Sequence, residues 1–298
     1  LAAKCLDKTE LVFTSSDINN RIPLKKLITI LMYCQDNMPV LDFLTLDLRG
    51  YAITEEELEA LDSFKVLWLR GLKVDLRKIL KLTRSSMQIF GKFLENMKNL
   101  EYLEIKFPDS EELVEDDLED VMAVLKRFKR LCHLHLYFSN CKWVSNDTLF
   151  YRRDLKDLKS LTLSVYGCSN VDEDTFKMLD KILNKSPNLQ QLELYFGSLS
   201  NVLDKGLSSI SDSTLSQLKN LEKLMLWFDD AEALSDSAVT KIAYIIFTAR
   251  EKLKHLNLNF FRCRSLTKTH FGYLLNSIKN AKELSYLQVD FGYCAQIG

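Results

Sequence analysis

Four prolines and nine glycines in 298 residues leave no room for a collagenous or coil-dominated chain. No apolar run approaches the roughly 18 residues of a membrane span, and the opening LAAKCLDKTE lacks the apolar stretch of a secretory leader. Neither sign of charge is in excess. Forty basic against 41 acidic residues leave a formal charge of −1, so the basic surface that phosphate backbones require is missing and nucleic acid is not an expected partner. Seven cysteines, an odd number with no CxxC pair, do not make a secreted disulfide framework. They read as buried, reduced thiols in a soluble, intracellular chain, with the cytoplasm as the expected compartment. Catalytic signatures are missing too: no Walker loop, GxGxxG, GxSxG or HExxH occurs. The triplet DFG at Asp290, Phe291 and Gly292 has no HRD loop before it and is read as chance. No catalytic residue, cofactor or metal is expected, and no membrane insertion.

What the chain does contain is one phrase repeated. The register LxxLxLxF recurs at starts 6, 41, 64, 100, 131, 158, 189, 221, 253 and 284, most clearly as LEYLEIKF from Leu100, LCHLHLYF from Leu131, LQQLELYF from Leu189, LEKLMLWF from Leu221 and LKHLNLNF from Leu253. A period near 31 residues marks stacked supersecondary units, none of which buries its apolar face alone. Inside each copy the alternation has period two, so positions 4, 6 and 8 face one way and 3, 5 and 7 the other: a short strand with one buried face. Between copies the period lengthens. Leu118, Val121, Leu125 and Phe128, then Phe176, Leu179 and Leu183, then Val239, Ile242 and Ile246 fall at helical spacing. Polar caps in VSNDTL (Val144), VDEDTF (Val171), ISDSTL (Ile210) and LSDSAV (Leu234) mark helix starts, and Pro23 opens another in PLKKLITILMYC.

These residues resemble the leucine-rich repeat superfamily over essentially the whole chain, and more closely its ribonuclease-inhibitor-like and cysteine-containing branches with long helices. The resemblance implies an α/β fold: a right-handed solenoid of about ten repeats with a concave parallel β-sheet and convex helices, as one domain over residues 1–298. Cys141, Cys168, Cys263 and Cys294 each stand ten residues after the first leucine, followed three residues on by Val144, Val171, Leu266 and Ile297. That is similar to the family's cysteine-then-ITD element, displaced by about two residues. The family's asparagine slot is filled instead by Arg49, Ser139, Tyr166, Gly197 or Asp229.

Two irregularities stand out. One is the 36-residue step from Phe64 to Leu100, with a helix break expected at Arg84, Ser85 and Ser86; the other is the helix-poor stretch SLSNVLDKGLSS. Each is either a partner contact or a neutral excursion of a tolerant loop. The start at Leu1 and the stop at Gly298, just past the tenth strand, suggest a piece of a longer protein in which missing sequence or another chain covers residues 284–298.

The outward strand positions carry rings where charges and small polar groups are the usual choice. Position 3 offers Tyr102, His133, His255 and Tyr286; position 5 offers Trp68 and His135; position 7 offers Tyr137, Tyr195 and Trp227. Large rings of this kind supply interface anchors, and they also stabilise a sheet by packing on their cross-strand neighbours. His133 and His135 alternate on one strand face with no acid or thiol placed to complete a metal site. The functional expectation is a noncatalytic scaffold, or a structural subunit of a large assembly, holding a protein partner on this aromatic face. The alternatives by family analogy are the F-box-type substrate receptor of a ubiquitin ligase and a regulatory repeat region of a larger enzyme.

Overall fold

A computed structural model of the chain describes residues 9–13, 24–37, 41–51, 54–65, 67–79, 82–107, 113–145, 149, 155–199, 202–231 and 234–294. The chain divides into two compact units, Leu1–Leu136 and Tyr137–Gly298. The first holds β1 (Thr9–Phe13), α1 (Leu24–Asn37), β2 (Leu41–Asp47), α2 (Glu55–Asp62), β3 (Gly71–Asp75), α3 (Arg84–Glu95), β4 (Tyr102–Lys106), a 3-10 turn (Glu115–Leu118), α4 (Glu119–Leu125) and most of β5 (His133–Tyr137). The second holds β6 (Ser160–Ser164), α5 (Asp174–Asn184), β7 (Gln191–Tyr195), α6 (Leu203–Ser209), α7 (Asp212–Leu215), β8 (Lys223–Trp227), α8 (Asp236–Ala249), β9 (His255–Asn259), α9 (Lys268–Lys279) and β10 (Tyr286–Asp290). This is an α/β fold in which strand and helix alternate. Within each unit the strands pair in chain order and in parallel.

The strands follow the period-two pattern. Leu192 and Leu194, like Leu224 and Leu226 or Leu256 and Leu258, are buried at positions 4 and 6 and lie opposite one another across the pairing. At position 8 the phenylalanines 196, 228 and 260 are fully buried, and Phe260 lies between Phe228 (ring centroids 6.1 Å apart) and Phe291 (5.3 Å). Each such ring contributes roughly 1.5–3 kcal/mol by leaving water. Helices add the other wall of the core: Phe176 of α5 meets Phe196 edge-on at 5.0 Å, and Phe271 of α9 meets Phe291 at 4.8 Å.

After eight of the ten strands the described chain turns in one way. The tenth residue of the copy has positive φ at Gly50, Lys78, Asn140, Gly167, Ser198, Asp230, Arg262 and Tyr293. Only two of these eight are glycine, so most copies accept the steric cost of a left-handed side-chain-bearing residue. The return is hydrogen bonding beyond the strand: the amides of Ser198, Asp230 and Arg262 donate to the carbonyls of Asp229, Phe261 and Gly292 in the next copy. The cysteine slot follows directly. Cys168, Cys263 and Cys294 are buried and donate Sγ–H to the position-8 carbonyls of Phe138, Phe228 and Phe260 one copy earlier, at 2.7, 3.2 and 3.0 Å. Burial pushes the Cys168 and Cys263 thiols up to about 12. All six described cysteines are free thiols.

Several expectations need correction. The third strand is not the FKVLWLRG copy from Phe64: β3 spans Gly71–Asp75, so the true copy is LRGLKVDL from Leu69. The apolar slots at Leu69, Leu72, Val74 and Leu76 are all buried, whereas Leu67 and Trp68 lie in a turn. The next copy then begins 31 residues on at Leu100, and the supposed 36-residue insertion disappears. Arg84, Ser85 and Ser86 do not break a helix but begin α3, whose cap is Thr83, accepting from the Ser86 amide. The first copy is also displaced. Leu11 and Phe13 pair with Leu44 and Leu46, so Leu11 takes the apolar slot assigned to Thr9. The stretch after Phe196 is not helix-poor, since α6 and α7 both lie in it. Ser211 and Ser235 do cap α7 and α8, accepting from the amides of Thr214 and Ser237. Pro23, Asn146, Asp147, Thr148 and residues 295–298 lie outside the described residues.

Candidate functional site

The outward sheet face bears the rings, and the structure shows how they are held. In the first unit Phe43, Gly71 and Tyr102 are successive partners across β2, β3 and β4, all at position 3. Gly71 carries no side chain, so the rings of Phe43 and Tyr102 close over it to 5.2 Å; a Cβ built there would stand 2.1 Å from Phe43 Cδ2. Tyr102 continues the row, with His133 at 6.0 Å and His135 at 5.0 Å. The phenol of Tyr102 turns back along its own strand and donates to Glu104 Oε2 at 2.8 Å. Lys73 Nζ sits 5.4 Å from both the Phe43 and Tyr102 centroids, a cation–π position. Burial pushes the Glu104 carboxyl up, but the Tyr102 hydroxyl with Lys106 and Lys73 outweighs it and holds the group below the usual carboxylate range.

The second unit repeats the device at position 7. Ser164 is the cross-strand partner of Tyr195, and the rings of Tyr137 and Tyr195 stand 6.4 Å apart. Ser160, Thr162 and Ser164, outward by register, are nevertheless buried. Tyr195 also meets Trp227 edge-on at 5.3 Å and donates its hydroxyl to Glu193 Oε2 at 3.0 Å. Burial and the adjacent Glu193 carboxylate push the Tyr195 phenol well above its ordinary value. Lys223 pairs with Glu193 at 2.7 Å. His255 and Tyr286 stack at 4.1 Å with an 8° interplanar angle, and the Tyr286 hydroxyl donates to Gln288. Beside this row, Trp227 Nε1 and Asp229 Oδ1 are buried without a hydrogen-bond partner. Burial raises the Asp229 carboxyl.

Of the nine residues expected at the site, Tyr102, His133 and His135 come together in the first unit, and Tyr137, Tyr195 and Trp227 form one row in the second. His255 and Tyr286 form a separate pair. Trp68 belongs to neither: it precedes β3 in a turn, because the copy it was assigned to is not the strand. His135, 9% exposed, is covered rather than presented. Tyr286, on β10, is the most open of the strand rings at 43%. Phe43, Gly71, Asp42 and Lys73 were missed. The signal for the first two was in plain view, since they occupy position 3 in LDFLTLDL and LRGLKVDL, but the displaced register concealed the alignment.

Among the described residues no group of three or more His, Cys, Asp or Glu side chains is placed to hold a metal ion, and no helix is long and apolar enough to cross a membrane. A recess of about 190 Å³ lies on the first unit, lined by Asp42, Phe43, Arg70, Gly71, Glu101, Tyr102 and His133. No protein-family model matches this chain, and no curated protein matches it either.

Proposed function

We propose that the chain is a right-handed leucine-rich repeat solenoid whose outward sheet face is its concave wall, and that it acts as a noncatalytic intracellular scaffold holding a protein partner there. The observation that carries this reading is the concentration of rings on that one face, in rows whose members fix one another. Side chains already ordered by neighbours lose little rotamer freedom on binding, which is what makes aromatic residues effective anchors. The parallel strands, the regular copy length and the left-handed turn after the strand support the repeat reading. The free buried thiols support a reducing compartment.

A photo-crosslinking experiment tests the reading by putting an aromatic probe in the place of one ring of the row. The full chain carrying p-benzoylphenylalanine at Tyr137 or Trp227 is expected to capture one common protein from an extract of the source organism. The same probe at Tyr244, exposed on α8, is expected to leave that protein uncaptured. Capture from Tyr244 alone would move the binding surface to the helices and overturn the assignment.

A further inference from the structure

We propose that the edge of the second unit where the chain enters its strands docks an acidic, extended segment of a protein partner; the proposal does not depend on the sheet face being a binding wall. The formal charge of −1 hides how unevenly charge is placed. Among the described residues of this unit, the segments entering β6 to β10 (155–159, 185–190, 216–222, 250–254 and 280–285) carry eight basic and four acidic side chains. The segments leaving the strands carry three basic and four acidic ones. The basic segments form one continuous edge, because each is bonded to the next: the amides of Gln190, Glu222, Lys254 and Ser285 donate to the carbonyls of Lys159, Gln190, Glu222 and Lys254.

Little of this positive charge is answered from within. Lys254 pairs with Glu222 at 2.9 Å and Arg250 with Glu251 at 3.3 Å, while Lys252 donates to the neutral Asn220 at 2.6 Å. Lys156, Lys159, Lys219 and Lys282 are exposed and make no side-chain hydrogen bond or ion pair among the described residues. A lysine in the last turn of a helix answers the helix dipole, but Lys159 and Lys254 stand directly before strands and Lys282 lies beyond the end of α9. Like charges gathered on one edge repel one another, and an anionic chain laid along them relieves that repulsion. The carboxylates on the edge decide which anionic chain. They recur in four of the five segments, where an unbroken row of phosphates would meet them. The segments also hold no aromatic ring on which a base could stack, and a single arginine. A peptide can set neutral residues opposite the carboxylates and its own acids opposite the lysines.

The test is fluorescence anisotropy of a fluorescein-labelled decaglutamate peptide titrated with the full chain, with decaglutamine and an oligothymidylate of equal length as comparison probes. Decaglutamate is expected to bind in a saturable way and to lose at least tenfold in affinity when salt rises from about 20 to about 200 mM, as screening shortens the reach of the lysines. Lys219→Glu with Lys282→Glu is expected to weaken binding at least fivefold. Lys205→Glu with Lys268→Glu changes net charge by the same amount at the first turns of α6 and α9, and is expected to leave affinity within twofold. All four lysines are exposed, so circular dichroism should show both variants folded as the parent chain is. Absence of decaglutamate binding, equal binding of decaglutamine, tighter binding of the oligothymidylate, or equal losses in the two variants overturns the proposal. None of these outcomes touches the sheet-face reading, which stands or falls on the crosslinking.

Discussion

Replacing Gly206 by alanine sets two effects of similar size against each other, and the structure decides the sign. Gly206 sits in the middle of α6, where alanine is favoured over glycine by about 1 kcal/mol through helix propensity. Yet a Cβ at this position would lie 2.1 Å from Cδ2 and 2.4 Å from Cε2 of Phe176. That ring is fully buried and wedged edge-on against Phe196 at 5.0 Å, so it has no free volume to enter. Forcing an extra methyl into a filled core costs roughly 1–3 kcal/mol, and an overlap this deep belongs at the upper end. The net expectation is a loss of about 1–2 kcal/mol, after subtracting the propensity gain. Gly272 in α9 is the matched control, because nothing lies within 4 Å of its would-be Cβ. There alanine should stabilise by about 0.5–1 kcal/mol. Urea unfolding followed by circular dichroism, with midpoint and slope compared for both variants, measures the difference. A midpoint raised by Gly206→Ala as much as by Gly272→Ala would refute the packing of α6 on Phe176.

The left-handed residue after β3 predicts that Lys78→Gly, at φ +57 and exposed, stabilises by about 0.5–1 kcal/mol, relief of the αL cost exceeding glycine's added chain entropy; an unchanged or lowered urea midpoint would contradict that geometry. Alkylation of the native chain at pH 8 with mass-spectrometric mapping should modify the half-buried Cys132 well before Cys168 and Cys263, whose thiols are raised to about 12. Early labelling of Cys168 would mean that the stack of copies opens there. His255 is held below its usual 6.5, first by burial and then by Lys223. The unfolded chain therefore binds the proton more readily, and stability falls as pH drops through 6.5 toward the folded value. His255→Gln should flatten the dependence of the urea midpoint on pH between 7 and 5, and an identical slope in the variant would remove His255 as its source.

Much of this architecture was legible from the chain because each copy writes its strand twice, in alternation and in recurrence. Eight of the ten strand registers, those beginning at Leu41 and from Leu100 onward, are the ones that the leucine spacing indicates. The two failures have physical causes. In FKVLWLRGLKVDL two overlapping phrases satisfy the same pattern, and what separates them is that Leu69, Leu72, Val74 and Leu76 can all be buried together while Leu67 stays half exposed. Near the start, the pairing of β1 with β2 shifts register between Thr9 and Glu10, an irregularity that no spacing rule anticipates. The rings were legible as residues on one face but not as contacts. Which ring reaches which depends on the small residue between them, and Gly71 and Ser164 carry no signal of their own until the neighbouring copies are aligned in the right register.

That dependence bears on whether the rings bind or merely pack. A ring directly beside another ring across two strands is one cross-strand pair, worth roughly 0.2–1 kcal/mol to the sheet. Phe43 with Tyr102 and Tyr137 with Tyr195 are different, because each pair spans an intervening strand that supplies only glycine or serine. If sheet stability alone were served, a β-branched or aromatic residue on the middle strand would fill the same space with direct neighbours on both sides. The small residue instead yields its space to the Phe43 ring, which lies over Gly71 and reaches Tyr102 at 5.2 Å. The arrangement is therefore one in which the rings hold each other and the middle strand yields the room, so that the face is ordered by its own contacts.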